Sequence, residues 1–423
     1  YRTLTSYGGK SLAKLKGFAE LWRVEEALQT FLAQVQPQRL GLEKVPLKKA
    51  LHRVAGEDMI AKRDLPHFAR SAMDGYAVKA GDTFGVSEFK PTTLRLVRGA
   101  RVSHGEAARV WTGSAMPAGA DAVVMLEYTR EAREGRIEVL MPVVPGMNVS
   151  PIGEDLHKGD MAVRKGKRLR PEDIGLLTAL GYTEVDAIRK PRVGLLSTGN
   201  ELVEPRCPVK PGKVVNVNRI LLDGMVRELG GEPVDLGIAK DDLETITQHI
   251  SKGLKKTDIL LTTGGTSVGG FDLVPEAVNR SGKPGLIIHG IAMRPGKPTG
   301  LAIVNDKPVV LLSGNPVAAI FGFDMFVRPL IQKMLGIEYE PRPTVQAKLT
   351  RKVPSALGVM VFLRVKVYLK GEQYYADPLR TAGAGVLTTM TKASGYVIIP
   401  EDRADLEEGE IVTVHLTGSI GRT

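Results

Sequence analysis

Residues 259–278, ILLTTGGTSVGGFDLVPEAV, decide how the middle of this chain is read. A short apolar run ends in two glycines; small hydroxyl residues, two further glycines, an aspartate and a helix-like segment follow. That order predicts a buried strand, a glycine-rich turn and a helix. Working outward, PRVGLLSTG (191–199) predicts a strand ending in glycine, and NRILLDGMVRELGG (218–231) a helix stopped by Gly230 and Gly231. EPVDLGIA (232–239) predicts another strand, after which Asp241 suits the cap of a helix over 242–256, with Glu244 in the capping-box position. GLIIHGIAMRPG (285–296), a hairpin-like GLAIVNDKPVVLLSG (300–314) and a helix over 316–335 complete the unit. Apolar strands alternating with helices imply a doubly wound, parallel α/β sheet over 189–337. In such sheets the loops after the carboxyl ends of strands form the ligand crevice, so 197–201, 262–272 and 313–315 are expected to converge.

The flanks have a different texture. An amphipathic helix is expected over 21–35, where Leu21, Val24, Leu28, Phe31, Leu32 and Val35 recur at three- and four-residue steps. Short alternating segments between Gly, Pro and charged turns make residues 45–163 mostly β. A helix begins at Pro171, has Glu172 and Asp173 in its first turn and stops at Gly181. From 341 onward the pattern is β-rich again. The expected division is a helical and linker part (1–45 with 146–188), a β-rich lobe (46–145), the α/β domain (189–337) and an all-β C-terminal domain (338–423).

Composition narrows the function classes. The chain has 423 residues, 43% hydrophobic and 25% charged, an ordinary globular balance. One cysteine, Cys207, excludes an intramolecular disulfide and a multi-cysteine zinc site, and fits a reducing, cytoplasmic compartment. No apolar run reaches the ~18 residues of a membrane span, and the opening segment lacks a signal-peptide core. The net charge of +11 suits anionic partners, but the basic residues are dispersed and aromatics are 5% without basic–aromatic interleaving. Nucleic acid is therefore not the expected partner; among nucleic acid, a membrane surface and small oxyanions, the charge singles out none, and a solvated basic surface explains it.

Candidate chemistry lies at the strand ends. Gly264 and Gly265 allow positive φ and close backbone approach, with Thr262, Thr263, Thr266 and Ser267 adding hydroxyls. A plain strand-to-helix turn explains the same residues. Ser313, Gly314 and Asn315 precede Pro316 at a helix start, which serves either an anion or a simple N-cap. Arg294 and Lys297 lie in a proline-stiffened loop suited to an oxyanion, although solvated cations would look the same. Glu201, Asp241, Asp242 and Asp272 follow strand ends and offer oxygen ligands of the kind Mg²⁺ takes; helix capping is the competing role for Asp241 and Asp272. Asp74-Gly75 reads locally as a turn.

Taken in order, SAMDGYAV (71–78), WTGSAMPAGADAVVMLE (111–127), PGMNVSPIGEDLHKGD (145–160), LLSTGNELV (195–203), TTGGTSVGGFD (262–272), MRPGKPTGLA (293–302), LSGNPVAA (312–319) and, more weakly, MTKASGYVIIPE (390–401) resemble the molybdenum insertase family, which includes the gephyrin E domain. The resemblance covers about residues 20–415. It implies an elongated helical part, a β-rich lobe, a molybdopterin-binding α/β domain and a C-terminal β-barrel, usually as a homodimer. It also implies Mg²⁺-dependent insertion of molybdate into adenylylated molybdopterin with release of AMP. The family's functional acids fall on Asp74, Asp155, Glu201, Asp241 and Asp272, and its functional threonine on Thr112. Asp74 would then act in trans, against its local reading as a turn. On this resemblance Glu201, Asp241 and Asp272 approach the metal. Thr263, Gly264, Gly265, Ser267, Arg294, Lys297, Ser313, Gly314 and Asn315 hold substrate and oxyanion.

Some positions depart from the family pattern. Thr266 replaces a common valine, Gly270 a frequent acid, Asn200 a frequent aspartate, and Gly290 a frequent basic residue, which shifts weight to Arg294, Lys297 or His289. The C-terminal motifs SALGVMVFLRV and TAGAGVL are also divergent. Tungstate shares molybdate's charge and nearly its size, so a tungstate-preferring insertase is the nearest alternative. A non-catalytic, peptide-binding dimeric scaffold of the gephyrin E type needs no cluster of acids, and an adenylyltransferase of the preceding step needs no flanking domains.

Overall fold

A computed structural model describes residues 21–35, 40–132, 135–265, 273–337, 340–379 and 385–422. The chain forms two compact units, one of residues 43–187 and one of residues 1–42 with 188–423. No helix among the described residues is long and apolar enough to cross a membrane.

Residues 43–187 hold a six-stranded sheet. Its strands are β1 (Gly75–Val78), β2 (Thr92–Val97), β3 (Glu106–Val110), β4 (Ala122–Met125), β5 (Thr129–Ala132) and β6 (Arg136–Val139), in the order β4-β1-β3-β2-β6-β5. Tyr76, Val78, Leu94, Ala107, Val124 and Ile137 form its core. Gly75 is required where β1 crosses β4, because a Cβ there would lie 2.0 Å from the Val124 carbonyl oxygen. A second small core gathers Val45, Met59, Val163, Leu169, Leu177 and Val185 around a helix, Pro171–Ala179. That helix starts as its sequence dictates. Pro171 sits at its first position, and the Asp173 carboxylate accepts the Arg170 N–H at 3.0 Å.

The larger unit begins with the helix Val24–Gln34, whose buried face carries Val24, Ala27 and Phe31. Its α/β sheet comprises β7 (Arg192–Thr198), β8 (Glu232–Ala239), β9 (Ile259–Thr263), β10 (Pro284–His289), β11 (Gly300–Val304) and β12 (Lys307–Leu312), in the order β8-β7-β9-β12-β11-β10. β8, β7, β9 and β12 are mutually parallel, whereas β11 runs against both neighbours. The reversal follows from the Asn305-Asp306 turn, where φ is 49° and 64°, the left-handed geometry of a tight hairpin. The helices Val217–Glu228, Leu243–Lys256 and Leu273–Ser281 flank this sheet. Ile246, Ile250, Val274 and Val278 pack on Leu196, Leu260 and Leu311. All five residues of β9, ILLTT, are buried, which is why that strand opens on an apolar run with no polar alternation.

The helical run that opens at Pro316 widens into a π-turn at Phe323–Val327 before continuing as Arg328–Met334. Pro329 lacks the N–H that an α-helix would give to Met325, so the backbone shifts to a wider turn. Beyond it, β13 (Thr344–Leu349), β14 (Met360–Lys370), β15 (Gln373–Pro378), β16 (Gly395–Ile399) and β17 (Ile411–Leu416) close into a five-stranded barrel, because β16 pairs with both β17 and β14. The strand Met293–Arg294 extends the barrel sheet by pairing in parallel with Met360 and Val361. Phe321 of the helical run stacks on Phe362 at 4.5 Å and meets Tyr396 edge-on at 5.1 Å. Below this aromatic cluster the buried Asp324 carboxylate receives Arg342 and Arg328. The α/β sheet and the barrel are thus joined by packing and by ion pairs.

Candidate active site

The carboxyl ends of β7, β9 and β12 meet at a cleft of about 730 Å³. Its wall includes Thr198 and Glu201 after β7, Thr263, Gly264 and Gly265 at β9, and Ser313, Gly314 and Asn315 after β12. Of the segments expected to converge, 197–201, the described start of 262–272 and 313–315 meet here. Backbone approach here depends on glycine. Gly264 has φ 90°, and a Cβ on it would lie 2.3 Å from the Thr198 carbonyl oxygen. Gly314 packs so that its own Cβ position is 3.5 Å from the Gly264 Cα. The two loops can therefore present N–H groups to one ligand.

Asn315 occupies the helix N-cap, yet its side chain makes no capping hydrogen bond; its N–H instead donates to Ser313 Oγ at 3.2 Å. The simple-cap explanation for this loop therefore fails at the side chain. Deeper in, the Asn216 amide bonds Ser197 Oγ at 3.0 Å, and Thr263 Oγ1 donates to the same oxygen at 3.3 Å. This buried network ties β7 to β9 behind the cleft wall.

A smaller cavity of about 390 Å³ adjoins the cleft, lined by Thr198, Gly199, Asn200, Glu201, Asp241, Gly265 and Leu273. Glu201 borders both spaces. Its carboxylate lies over Gly199, where a Cβ would approach both oxygens to 2.6 Å. Asn200 and Asp241 bond reciprocally: Asn200 N–H donates to Asp241 Oδ2 at 2.9 Å, and Asp241 N–H donates to Asn200 Oδ1 at 3.2 Å. An amide at position 200 thus makes the contact with its oxygen that a carboxylate would make. Lys213 Nζ donates to the Asn200 carbonyl at 2.7 Å, fastening the next loop to the same corner.

The capping expectation for Asp241 is corrected. The cap is Asp242, whose carboxylate accepts the Thr245 N–H at 2.8 Å. Thr245 hydrogen bonding holds the Asp242 carboxyl below its ordinary range. With Asp242 as cap, the third helical residue is Thr245 rather than Glu244, so no capping box forms. Asp241 is thereby left facing the cavity.

Other predicted residues fall elsewhere. Arg294 and Lys297 are not among the described residues lining the cleft, although Pro298 is. Arg294 instead lies close enough to the buried Arg364 of β14 to act on it: burial first, then the Arg294 charge, lowers the Arg364 guanidinium pKa. Arg364 was missed from sequence, because an arginine in an alternating barrel strand carries no signal that its outer face is covered. Asn216 and Asn218 of the cleft wall were missed too; NVN before a helix looks like ordinary capping.

Asp74, Thr112 and Asp155 belong to the 43–187 unit, apart from Glu201 and Asp241 in sequence and in unit. Two of them form a pair. Thr112 N–H and Thr112 Oγ1–H both donate to Asp74 Oδ1 at 2.8 Å. Those two bonds hold the Asp74 carboxyl below its ordinary range, with Arg109 adding to the effect. A turn explains Asp74-Gly75 locally, but not a carboxylate fixed by a loop 38 residues away. Asp155 is exposed, its N–H donating to the Leu65 carbonyl at 2.9 Å. Ser267 and Asp272, with Thr266 and Gly270, lie outside the described residues.

Two carboxylates bordering one cavity fit Mg²⁺, which commonly takes one or two protein carboxylates and completes its shell with water and phosphate oxygens. Among the described residues no group of three or more His, Cys, Asp or Glu side chains is placed to hold a metal.

Comparison with known proteins agrees with this architecture segment by segment. The chain matches the MoeA N-terminal region (domain I and II) over residues 22–181, a "Probable molybdopterin binding domain" over 194–333, and the MoeA C-terminal region (domain IV) over 346–417. It is 38% identical over 410 residues to a Methanocaldococcus jannaschii protein named for molybdopterin biosynthesis, covering 95% of this chain and 99% of that one. It is 35% identical over 385 residues to a molybdopterin molybdenumtransferase of Bacillus subtilis, covering 88% and 89%. The crystal structure of a molybdopterin biosynthesis MoeA protein from Pyrococcus horikoshii OT3 superposes with a TM-score of 0.79 at 36% identity, covering 94% of this chain and all of that one.

Proposed function

The chain belongs to the molybdopterin molybdenumtransferase family, transferases of molybdenum cofactor biosynthesis, and we propose from this that it inserts molybdate into adenylylated molybdopterin with Mg²⁺-dependent release of AMP. The observation that carries the proposal is Glu201 bordering both the large cleft and the Asp241 cavity. A substrate diphosphate in the cleft would then lie beside the two carboxylates.

Glu201 and Asp241 would hold Mg²⁺, with Asp272 joining them on sequence grounds alone. Bound there, the ion would screen charge developing on the phosphate oxygens during anhydride cleavage. The protein's own groups do the rest. The 263–265 and 313–315 loops orient the phosphates through N–H groups other than those of Gly264 and Asn315, which the Leu312 carbonyl and Ser313 Oγ take. Glycine at 264 lets the backbone reach them. Arg294 and Lys297 supply the positive charge a dianionic oxyanion needs. Asp74, Thr112 and Asp155 complete the reaction site from the partner subunit of a homodimer. The four-part domain division and a cytoplasmic location belong to the same proposal.

The direct test supplies the purified protein with adenylylated molybdopterin, Mg²⁺ and molybdate and measures AMP and cofactor formed. Release of AMP coupled to metal insertion is expected. Substrate binding with no turnover under any divalent cation would sink the proposal.

A further inference from the structure

The cleft has a wall that the α/β loops do not supply. Gly385 and Leu387 belong to the barrel, on the connection between β15 and β16, yet both line the cleft beside Ser313, Gly314 and Asn315. Gly385 lies against Asn315, since a Cβ on it would come to 3.4 Å from Asn315 Oδ1. This segment is fastened to the barrel. The Val386 carbonyl accepts the Thr389 N–H at 3.1 Å and the Thr389 hydroxyl at 2.8 Å, and the Ser394 N–H donates to the Val365 carbonyl of β14 at 2.9 Å. The shape of the cleft therefore depends on how the barrel is seated on the α/β sheet.

One helical run carries that seat. Asn315 stands at its start, in the cleft wall; Phe321 packs on Phe362 and Tyr396 of the barrel; Asp324 lies in its π-turn. Arg342, on the linker just before β13, grips Asp324 as a fork: Nη2 donates to Oδ1 at 2.9 Å and Nε to Oδ2 at 3.2 Å. The Asp324 side chain is 2% exposed, so this contact is desolvated. Burial first, then Asp324, pushes the Tyr396 phenol up to about 12, and it stays neutral beside the pair. A two-point fork fixes orientation as well as distance, whereas the apolar burial around it is non-directional. Glu228 ends the helix whose first residue, Val217, lines the cleft, and it approaches Arg328 and Arg342 at 3.8 and 3.9 Å. Two helices thus run from the cleft wall to this one joint.

We propose that Asp324 and Arg342 are positioning residues for the reaction, their fork holding the barrel at the angle that keeps Gly385 and Leu387 in the cleft wall. Neither is among the described residues lining the cleft, so the pair acts through the barrel segment. Its part in turnover rests on the proposed function; its hold on the barrel does not.

The test separates the fork from its charge. Arg342→Lys keeps a cation beside Asp324 but cannot form the fork; Arg342→Gln removes both. Amide hydrogen exchange of the full chain reads the barrel's seat, and steady-state turnover reads the cleft. In Arg342→Lys, exchange across 385–392 should quicken about tenfold while β13 and β17 keep their protection, which shows the barrel itself intact. KM for adenylylated molybdopterin should rise about tenfold with kcat within about twofold of wild type, the signature of lost binding rather than lost chemistry. Arg342→Gln should move both readouts further; if it does not fold, Arg342→Lys decides alone. Wild-type exchange at 385–392, or a wild-type KM in Arg342→Lys, overturns the positioning role whatever the melting temperature does, because an ion pair that only stabilises the fold leaves KM in place. The two proposals fail separately. A protein without turnover whose 385–392 exchange still answers to Arg342→Lys keeps the fork's hold on the barrel and loses the function. An active enzyme indifferent to Arg342→Lys does the reverse.

Discussion

Asp74 in the β lobe and Asp241 in the α/β domain are both acids on loops, but the backbone uses them differently. Asp74 Oδ1 is taken twice by Thr112, through N–H and hydroxyl. Asp241 gives one oxygen to the Asn200 N–H, while its neighbour Asp242 performs the helix cap. The first arrangement fixes a carboxylate in one orientation and favours its charged form. The second leaves a carboxylate oriented from one side and facing a cavity. Adjacent aspartates thus divide structural and chemical work, and residue type alone does not tell them apart.

That contrast can be broken experimentally. The largest effect is expected at the cavity. Asp241→Asn and Glu201→Gln should each lower turnover by roughly 100-fold with the fold kept, measured as AMP release beside circular dichroism. A rate within a few-fold of wild type would remove that residue from the reaction. Asp74→Asn is expected next, with a loss of roughly 10- to 100-fold, since it removes the charge but not the shape. Thr112→Val should follow at about tenfold, because the Thr112 N–H still holds Asp74 when the hydroxyl is gone.

The pH dependence sharpens the same point. The folded Asp74 carboxyl is held below its ordinary range by the Thr112 bonds. Its contribution to stability is therefore present above the unfolded value and lost as pH falls through the lower, folded one. The Asp74→Asn deficit should accordingly stay constant between about pH 5 and 8. A deficit that disappears within that window would show that Asp74 is not the group titrating as described. The smallest catalytic effect belongs to Asp242→Ala. Losing the cap should lower the melting temperature by a few degrees and leave turnover near wild type. If turnover falls as far as in Asp241→Asn, the division of labour between the two aspartates is wrong.

The strand-and-helix order of the α/β domain was legible because each buried strand is a short apolar run and each helix has a glycine or proline boundary. β9 is buried throughout and its sequence says so. Gly264 was legible for a related reason: paired glycines at a strand end have few uses besides positive φ and close approach. The cap at Asp242 was not legible, because either aspartate of the pair satisfies the pattern and one residue of helix phase decides between them. Arg364 was not legible either, since a strand alternation says that residues point to opposite faces without saying which face is closed. The Asp74–Thr112 pair spans 38 residues, and no local rule connects its members.

By itself, then, the sequence determined the element types, the glycine-dependent turns and the family, since these follow from local periodicity, backbone sterics and ordered motifs. Tertiary structure alone decided which polar groups are used up and which remain available. It turned Asn216 away from its helix and toward Ser197, gave the cap to Asp242, and left Asp241 and Glu201 at one cavity. The reason is physical: hydrogen bonds and desolvation are settled by neighbours distant in the chain, and their geometry exists only once the sheet has assembled.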